Sequence, residues 1–419
     1  MNTRLGSRST RVDEAMADLL EKILHYAGPK GTLVLRGELP PSERRYRIVS
    51  VDDHLVEPPD VFTPRMPAHL RDRAPHVERD DQGIDYWVFE EERVPLCGAD
   101  GIKSWEVGKG YLGPVNFDEL HPAVWNIHER VRAMDVNGVI ASLNFPSAPF
   151  GFAGTRVRRM KDRELGLASL RAFNDWTHED WAGPYPDRII PCQLAWLADP
   201  EIAAEEIRRN AARGFTSVSF SENPEKLGLP SLHGDHWDPF LRACEETETV
   251  INLHVGSSSQ TIVPSKDSPP AVLGALFPIN GMETTADWLF SRVPLRFPKI
   301  KIALSEGGIG WVPMLIDRIE YMDRYLDYTD DFGDASPVEL LRRNFWFTTF
   351  SDPSTLPLRH LVGMDRIMIE TDYPHSDSSW PDTQELLAEQ FGDIPQSEID
   401  RITFGNAVDL YRLSLPAAA

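Results

Sequence analysis

Apolar residues cluster in short runs that alternate with longer amphipathic segments from Ile48 onward. Eight such runs occur, and each has the length and composition of a parallel strand buried on both faces. They are IVSV (48–51), GVIASLNF (138–145), RIIPCQLAWL (188–197), FTSVSF (215–220), TVINLHV (249–255), KIKIALS (299–305), FWFTTF (345–350) and DRIMIET (365–371). Most intervals between them have helical spacing, as in DPEIAAEEIRRNAARG (199–214), which ends at a glycine.

Eight strands joined by helices predict an α/β fold, specifically a (β/α)8 TIM barrel over residues 46–412. A doubly wound open sheet would give much of the same alternation and stays open as an alternative. The alternation therefore predicts an α/β fold, with the barrel as the leading interpretation of its topology.

Three segments fall outside the regular alternation. Residues 1–45 form an N-terminal extension with a predicted docking helix, and residues 413–419 form a tail. An unusually long interval follows the first strand, and within about 80–115 the segment DYWVFEEERVPLCG alternates like a small antiparallel hairpin inserted over the barrel. The predicted docking helix is marked by apolar residues at helical spacing: Ala15, Leu19, Leu20, Ile23 and Leu24.

Charge and composition exclude several classes of function. The chain of 419 residues carries 65 acidic and 43 basic side chains, a formal net charge of -22, which disfavours nucleic acid and anionic membrane surfaces as partners. No apolar run is long enough to span a bilayer or to serve as a signal peptide, so we expect a cytoplasmic protein. The three dispersed cysteines, Cys97, Cys192 and Cys244, predict small core residues and no disulfide framework.

Ionisable side chains follow many of the predicted strands at the point where each strand ends. In a (β/α)8 barrel these ends meet at one face, where active sites lie. Because strand side chains alternate, Asp52 and His54 should face the barrel axis while Asp53 points away. The residues at the other strand ends are Glu222, His254, Glu306, Asp372 and, three positions further, His375.

A divalent metal ion is the natural partner of such a set. Burial of an unpaired carboxylate costs on the order of several kcal/mol of free energy. No Lys or Arg stands at these strand ends to neutralise the charges. Mixed imidazole and carboxylate ligands suit Zn, Mn or Fe, and the donors suffice for one or two ions. Each residue alone has a structural alternative: His254 as a hydrogen-bonded core residue, Glu306 as a helix cap, and Asp372 with His375 as a turn.

The motifs VDDHLVEPPDVF, INLHVG, KIALSEGGIGWVP and RIMIETDYPHSDSSWP, at the ends of strands one, five, six and eight, resemble the amidohydrolase superfamily. The branch is the one that includes aminocarboxymuconate semialdehyde, resorcylate and carboxyvanillate decarboxylases. The resemblance implies that Asp52, His54, His254 and Asp372 are metal ligands and that Asp372 also transfers a proton.

This sequence departs from the family pattern at three positions. Asp52 replaces a His or Glu, Glu306 occupies a position that is often His, and Glu222 stands where dinuclear relatives have a carbamate-forming lysine. These changes enrich the site in carboxylate and favour Mn or Fe over Zn.

The leading hypothesis is a metal-dependent hydrolase or non-oxidative decarboxylase of a small organic acid or amide. Asp372 would move the proton, with Glu306 and His375 orienting water or substrate. An alternative is a dinuclear Fe/Fe or Mn/Fe oxygenase in which Glu222, Glu306 and His375 hold the second ion, and a further alternative is a non-catalytic partner subunit.

The N-terminal extension suggests a homo-oligomer or a hetero-oligomer with a paralogue. Expected substrate contacts are Phe150, His233 and Trp380, although loop aromatics could equally anchor the inserted segment.

Overall fold

The structure is a computed structural model that describes residues 34–35, 39–101, 105–106, 115–265, 267–326 and 332–415. The docking helix predicted from residues 15–24 lies outside the described residues. All eight predicted strands form, and all pair in parallel. In chain order the barrel strands are Ile48–His54, Val139–Phe145, the pair Ile189–Ile190 and Cys192–Leu194, Ser217–Phe220, Val250–His254, Ile302–Ser305, Phe345–Thr349 and Ile367–Ile369.

The third barrel strand consists of two short pieces, and each piece pairs with a different neighbouring strand, which closes the barrel. Ile189–Ile190 pairs with the second strand, and Cys192–Leu194 pairs with the fourth. Pro191 lies between the two pieces and has no N–H to donate, which explains why the ladder is interrupted there. The remaining order runs from the second strand to the first, eighth, seventh, sixth, fifth and fourth. This cyclic parallel order is that of a (β/α)8 barrel, and the predicted fold class is confirmed.

Helices connect successive strands and cover the sheet. Their N-terminal backbone groups are capped where the sequence offers a short polar side chain, as at Asn126, Asp162 and Asp199. The α-helices are Ile127–Asn137, Thr155–Arg159, Arg163–Trp176, Pro200–Ala211, Asp238–Thr247, Pro270–Phe290, Val293–Arg296, Val312–Leu326, Pro337–Asn344, Arg359–Val362, Thr383–Phe391, Gln396–Asp400 and Asn406–Tyr411. Among the helices that the structure describes, none combines the length and apolarity needed to cross a bilayer.

An antiparallel sheet of three strands occupies the long interval after the first barrel strand. Two strands, Asp85–Phe89 and Glu92–Pro95, come from the segment in which the sequence predicts a hairpin. The third, His76–Arg79, is mostly exposed and lacks the apolar alternation that would have marked it. A separate two-strand pairing joins Val34–Leu35 to Trp105–Glu106.

The inserted sheet packs on the barrel through an aromatic cluster. The ring of Phe150, from the loop after the second barrel strand, lies 5.2 Å from Phe62, 5.3 Å from Trp87 and 5.0 Å from Phe89, measured between centroids. All four side chains are buried. Elsewhere in the core, Cys192 and Cys244 are small buried residues as expected, and no disulfide links the three cysteines.

Candidate metal centre

Two imidazoles and one carboxylate converge at the C-terminal ends of the first and fifth barrel strands. The Nε2 atoms of His54 and His254 lie 3.1 Å apart. The two oxygens of Asp52 each lie 3.4 Å from one of these nitrogens. All three side chains are fully buried. Alternation along Ile48–His54 produces this arrangement, because Asp52 and His54 point to the same side.

The neighbour between them, Asp53, points away from the cage as expected. Its carboxylate accepts hydrogen bonds from the hydroxyls of Ser50, Ser142 and Thr371 and from the backbone N–H of Tyr373. Asp53 thus ties the first strand to the second and eighth strands. Its role in the structure is to hold these strand ends together.

The hydrogen-bonding state of the cage fits a bound cation. The Nδ1 atom of His254 lies 2.7 Å from the backbone oxygen of Val255 and donates its proton to it, so Nε2, which faces the cage, is the nitrogen that would bind a metal ion after losing its proton. Neither carboxylate oxygen of Asp52 has a hydrogen-bond partner. Buried polar atoms without partners are costly, and an ion that accepts all these lone pairs would relieve that cost.

Asp372 and His375, from the loop after the eighth strand, complete the cage. One oxygen of Asp372 lies 3.4 Å from Nε2 of His54 and 2.9 Å from Nδ1 of His375. The His375 ring stacks on His54 with centroids 3.8 Å apart. Asp52, His54 and His254 therefore form one potential ligand group, and His54, Asp372 and His375 form a second that shares His54.

The charges in the cage are strongly coupled. Burial raises the pKa of Asp52, but the facing imidazoles of His254 and His54 outweigh burial and hold that pKa below the usual carboxyl range. Burial lowers the pKa of His254, yet Asp52 and Glu306 outweigh it and raise the pKa to about 10. Burial and the neighbouring His375 lower the pKa of His54. The cage thus pairs a protonated His254 with the ionised Asp52, and a bound metal ion would take the place of that proton.

Glu306 lies at the edge of this cage. Its carboxylate approaches Nδ1 of His254 at 3.7 Å and groups with Asp372 and the exposed Asp377. Burial raises the pKa of Glu306 to about 8. Its backbone has φ of 62°, in the left-handed region, and its N–H donates to Glu370 at 2.9 Å. Glu370, which no sequence motif marked as a site residue, has a fully buried side chain one residue beyond the eighth strand.

The structure does not bring Glu222 into the cage. Its buried carboxylate accepts hydrogen bonds from the hydroxyls of Ser257 and Ser258, and it belongs to none of the ligand groups among the described residues. These serines follow His254 by three and four positions, so Glu222 braces the loop that begins at that ligand. The structure therefore does not place Glu222, predicted as a metal ligand, with the other candidate ligands.

The three residues expected to contact substrate lie elsewhere. Phe150 is buried in the aromatic cluster under the inserted sheet, which is the anchoring alternative. His233 is on the surface, with 51% of its side chain exposed, and pairs with Asp287 at 2.8 Å. Trp380 is buried against the helix Ile127–Asn137, where its indole N–H donates to the backbone oxygen of Ala133. None of these three residues lines the cage.

Phe152 occupies the position expected of Phe150. Its half-buried ring lies 4.3 Å from His254 and 4.8 Å from His54, between centroids. The loop sequence FPSAPFGFAG contains both rings, and only the fold decides which one faces the cage. One further residue missed from sequence is Asp100 of the inserted segment, whose carboxylate lies 3.4 Å from Nε2 of His375.

Known proteins with the same fold and similar sequence identify the family of this chain. The amidohydrolase family model matches residues 83–413. A gamma-resorcylate decarboxylase from Rhodococcus jostii is 26% identical over 327 residues, covering 73% of this chain and 93% of that one. The solved structure of an amidohydrolase from Mycobacterium avium subsp. paratuberculosis has a TM-score of 0.67 at 24% identity and covers 88% of this chain and 100% of that one.

A second solved structure contains a metal. It is a 5-carboxyvanillate decarboxylase from Novosphingobium aromaticivorans, complexed with manganese and a nitrobenzoic acid, with a TM-score of 0.58 at 17% identity, covering 90% of this chain and 99% of that one. The resemblance seen in the sequence motifs is confirmed. The chain belongs to the amidohydrolase family, a group of metal-dependent enzymes built on this barrel.

Proposed function

We propose that this protein is a metal-dependent, non-oxidative decarboxylase of a small aromatic acid. The observation that carries the proposal is the cage itself, in which the two unpartnered oxygens of Asp52 face the Nε2 atoms of His54 and His254 beside Asp372. The relative from Rhodococcus, a gamma-resorcylate decarboxylase, supports the choice of reaction.

The donor set fits one divalent ion held by Asp52, His54, His254 and Asp372. Two carboxylates and two imidazoles suit Mn, Fe or Zn, and the manganese in the carboxyvanillate decarboxylase makes Mn the first choice. When bound, such an ion supplies positive charge that neutralises an acidic substrate and stabilises negative charge in the transition state.

The side chains around the cage can hold and orient an aromatic acid. Phe152 presents a ring to the cage on the side of His54 and His254, where a substrate ring could stack. The side chains of Asp52, His54 and His254 are fully buried, which limits competing reactions with water. We propose that Phe152 replaces Phe150 as the substrate contact.

Decarboxylation needs one proton for each carbon dioxide released. A proton from the Asp372 carboxyl bonds to the ring carbon that carries the carboxylate, the bond from that carbon to the carboxylate breaks, and its electron pair returns to the ring. Carbon dioxide leaves, and Asp372 is left as a carboxylate. His375, 2.9 Å from the Asp372 oxygen, orients that carboxyl group through Nδ1.

The hydrolase and oxygenase alternatives find less support. A hydrolase would use the same ligands, but the curated relatives that match the chain are decarboxylases. The dinuclear oxygenase is expected to use Glu222 as one ligand of its second ion, but the Glu222 carboxylate accepts hydrogen bonds from Ser257 and Ser258 and lies outside the ligand groups of the described residues.

A substrate panel tests the proposal. Protein loaded with Mn²⁺ is incubated without oxygen with hydroxylated benzoic acids and, in parallel, with their amides. We expect carbon dioxide from at least one acid, in one-to-one ratio with the decarboxylated arene, and no ammonia from the amides. Ammonia release without carbon dioxide would establish a hydrolase, and turnover only after oxygen is admitted would establish an oxygenase.

A further inference from the structure

We infer that Asp100, carried by the inserted segment, is a positioning residue that fixes the orientation of His375. This inference rests on the proposed function for its effect on turnover. Asp100 belongs to the short 3-10 helix Gly98–Gly101 and is buried, although the segment around it is outside the barrel. The barrel therefore does not contain all the residues that shape its own active site.

His375 is held from both sides of its ring. Nδ1 lies 2.9 Å from Asp372, and Nε2 lies 3.4 Å from Asp100. It lies in a loop without regular structure, so no helix or strand fixes its backbone. Two carboxylates on opposite nitrogens define the rotation of the imidazole, whereas Asp372 alone would leave the far side of the ring without a fixed partner.

Asp100 is itself fixed by a second contact. Its other oxygen accepts a hydrogen bond of 2.9 Å from the backbone N–H of Ala148, in the loop that leads to Phe152. The carboxylate therefore needs both of its oxygens as acceptors. An asparagine has one acceptor oxygen and one NH₂ donor. Its NH₂ group would face either the Ala148 N–H or the His375 nitrogen, and it cannot accept a hydrogen bond from either.

Other contacts tie the inserted sheet to the segment after this loop, which begins with the helix Thr155–Arg159. Arg156 pairs with Glu92, and the backbone N–H of Lys161 donates to Glu90 at 2.6 Å. Together with the aromatic cluster around Phe150, these contacts hold the inserted sheet in place relative to the loop after the second strand. The position of Asp100 over His375 is thus fixed by the packing of the whole insertion.

The first arm of the test does not depend on activity. Protein labelled with ¹⁵N-histidine and loaded with Zn²⁺ is compared with Asp100→Asn, and His375→Gln identifies the His375 signals. We expect Asp100→Asn to shift the His375 ring signals. Asp118 is an exposed residue in the same interval between the first and second barrel strands, and Asp118→Asn should leave these signals unchanged. Unchanged His375 signals in Asp100→Asn would overturn the inference whatever the activity.

The second arm is a double-mutant cycle on decarboxylation. Asp100→Asn should lower kcat by about 10- to 100-fold, the range for outer partners of site histidines, with KM changed by less than about threefold. In a His375→Gln background the same change should have almost no further effect, because Asp100 acts through His375. Additive losses in the cycle would overturn the inference. If the unmodified protein decarboxylates nothing, the proposed function fails while the NMR arm still decides the role of Asp100.

Discussion

The Nε2 atoms of His54 and His254 lie 3.1 Å apart, and each also lies 3.4 Å from an oxygen of Asp52. Nδ1 of His254 donates its proton to Val255, so Nε2 of His254 faces the Nε2 atom of His54 and the Asp52 carboxylate across a short gap. This arrangement stabilises the fold only with a proton or a metal ion in its centre.

Loss of either Asp52 or His254 should abolish tight metal binding. Asp52→Asn removes the negative charge, and His254→Ala removes a nitrogen ligand. Addition of Mn²⁺ at about 100 times its Kd should stabilise the unmodified protein by about 2.7 kcal/mol, seen as a rise in Tm, and should not stabilise either variant. His233→Ala, a change at an exposed histidine, is the control and should behave like the unmodified protein.

Removal of the Asp372 carboxyl group should stop turnover more than it weakens metal binding. Asp372→Asn keeps an oxygen that can bind an ion. The amide cannot deliver the proton that the ring carbon needs when carbon dioxide leaves. We expect kcat to fall by about 10²- to 10⁴-fold, the usual contribution of a proton-transfer group, with metal content measured by elemental analysis. Near-normal kcat in a metal-loaded variant would place the proton donor elsewhere.

Substitution of the two phenylalanines in the loop after the second strand should affect different properties, namely stability for Phe150 and substrate KM for Phe152. Phe150 is fully buried, so Phe150→Ala should destabilise the protein by about 3 to 5 kcal/mol. Phe152 is half-buried beside the cage, so Phe152→Ala should leave Tm closer to normal and raise KM for the aromatic acid. Thermal melts and Michaelis kinetics of both variants test the assignment, and an exchange of the two phenotypes would refute it.

A buried carboxyl group below the inserted segment should make stability depend on pH. Burial raises the pKa of Glu57 from an ordinary 4.5 to about 8, against the hydrogen bonds from Ser147. Between these values the unfolded chain releases a proton that the folded protein keeps, so stability should fall as pH rises, by at most about 1.4 kcal/mol per pH unit.

Glu57→Gln is neutral at every pH and removes this dependence. The Tm of the variant relative to the unmodified protein should therefore increase from pH 5 to pH 8. A Tm difference that is the same at both pH values would show that Glu57 ionises normally in the folded protein.

Local patterns in the sequence predict the barrel and most of the cage, because strand alternation decides the direction of Asp52 and His54, and the barrel gathers the strand ends. The same patterns do not predict which residues, distant in sequence, form hydrogen bonds with a given side chain. Glu222 has the same sequence context as a ligand, yet Ser257 and Ser258, from the next strand end, take its oxygens. Asp100 is the converse case, because its contact with His375 arises from packing of an insertion distant in sequence.

The most direct test is a titration of Mn²⁺ into chelator-treated protein, with carbon dioxide release recorded at each point without oxygen. The proposed function predicts no turnover in the metal-free protein and a rate that rises in proportion to bound metal up to about one ion per chain. Full turnover without metal, or none until oxygen is added, would contradict it.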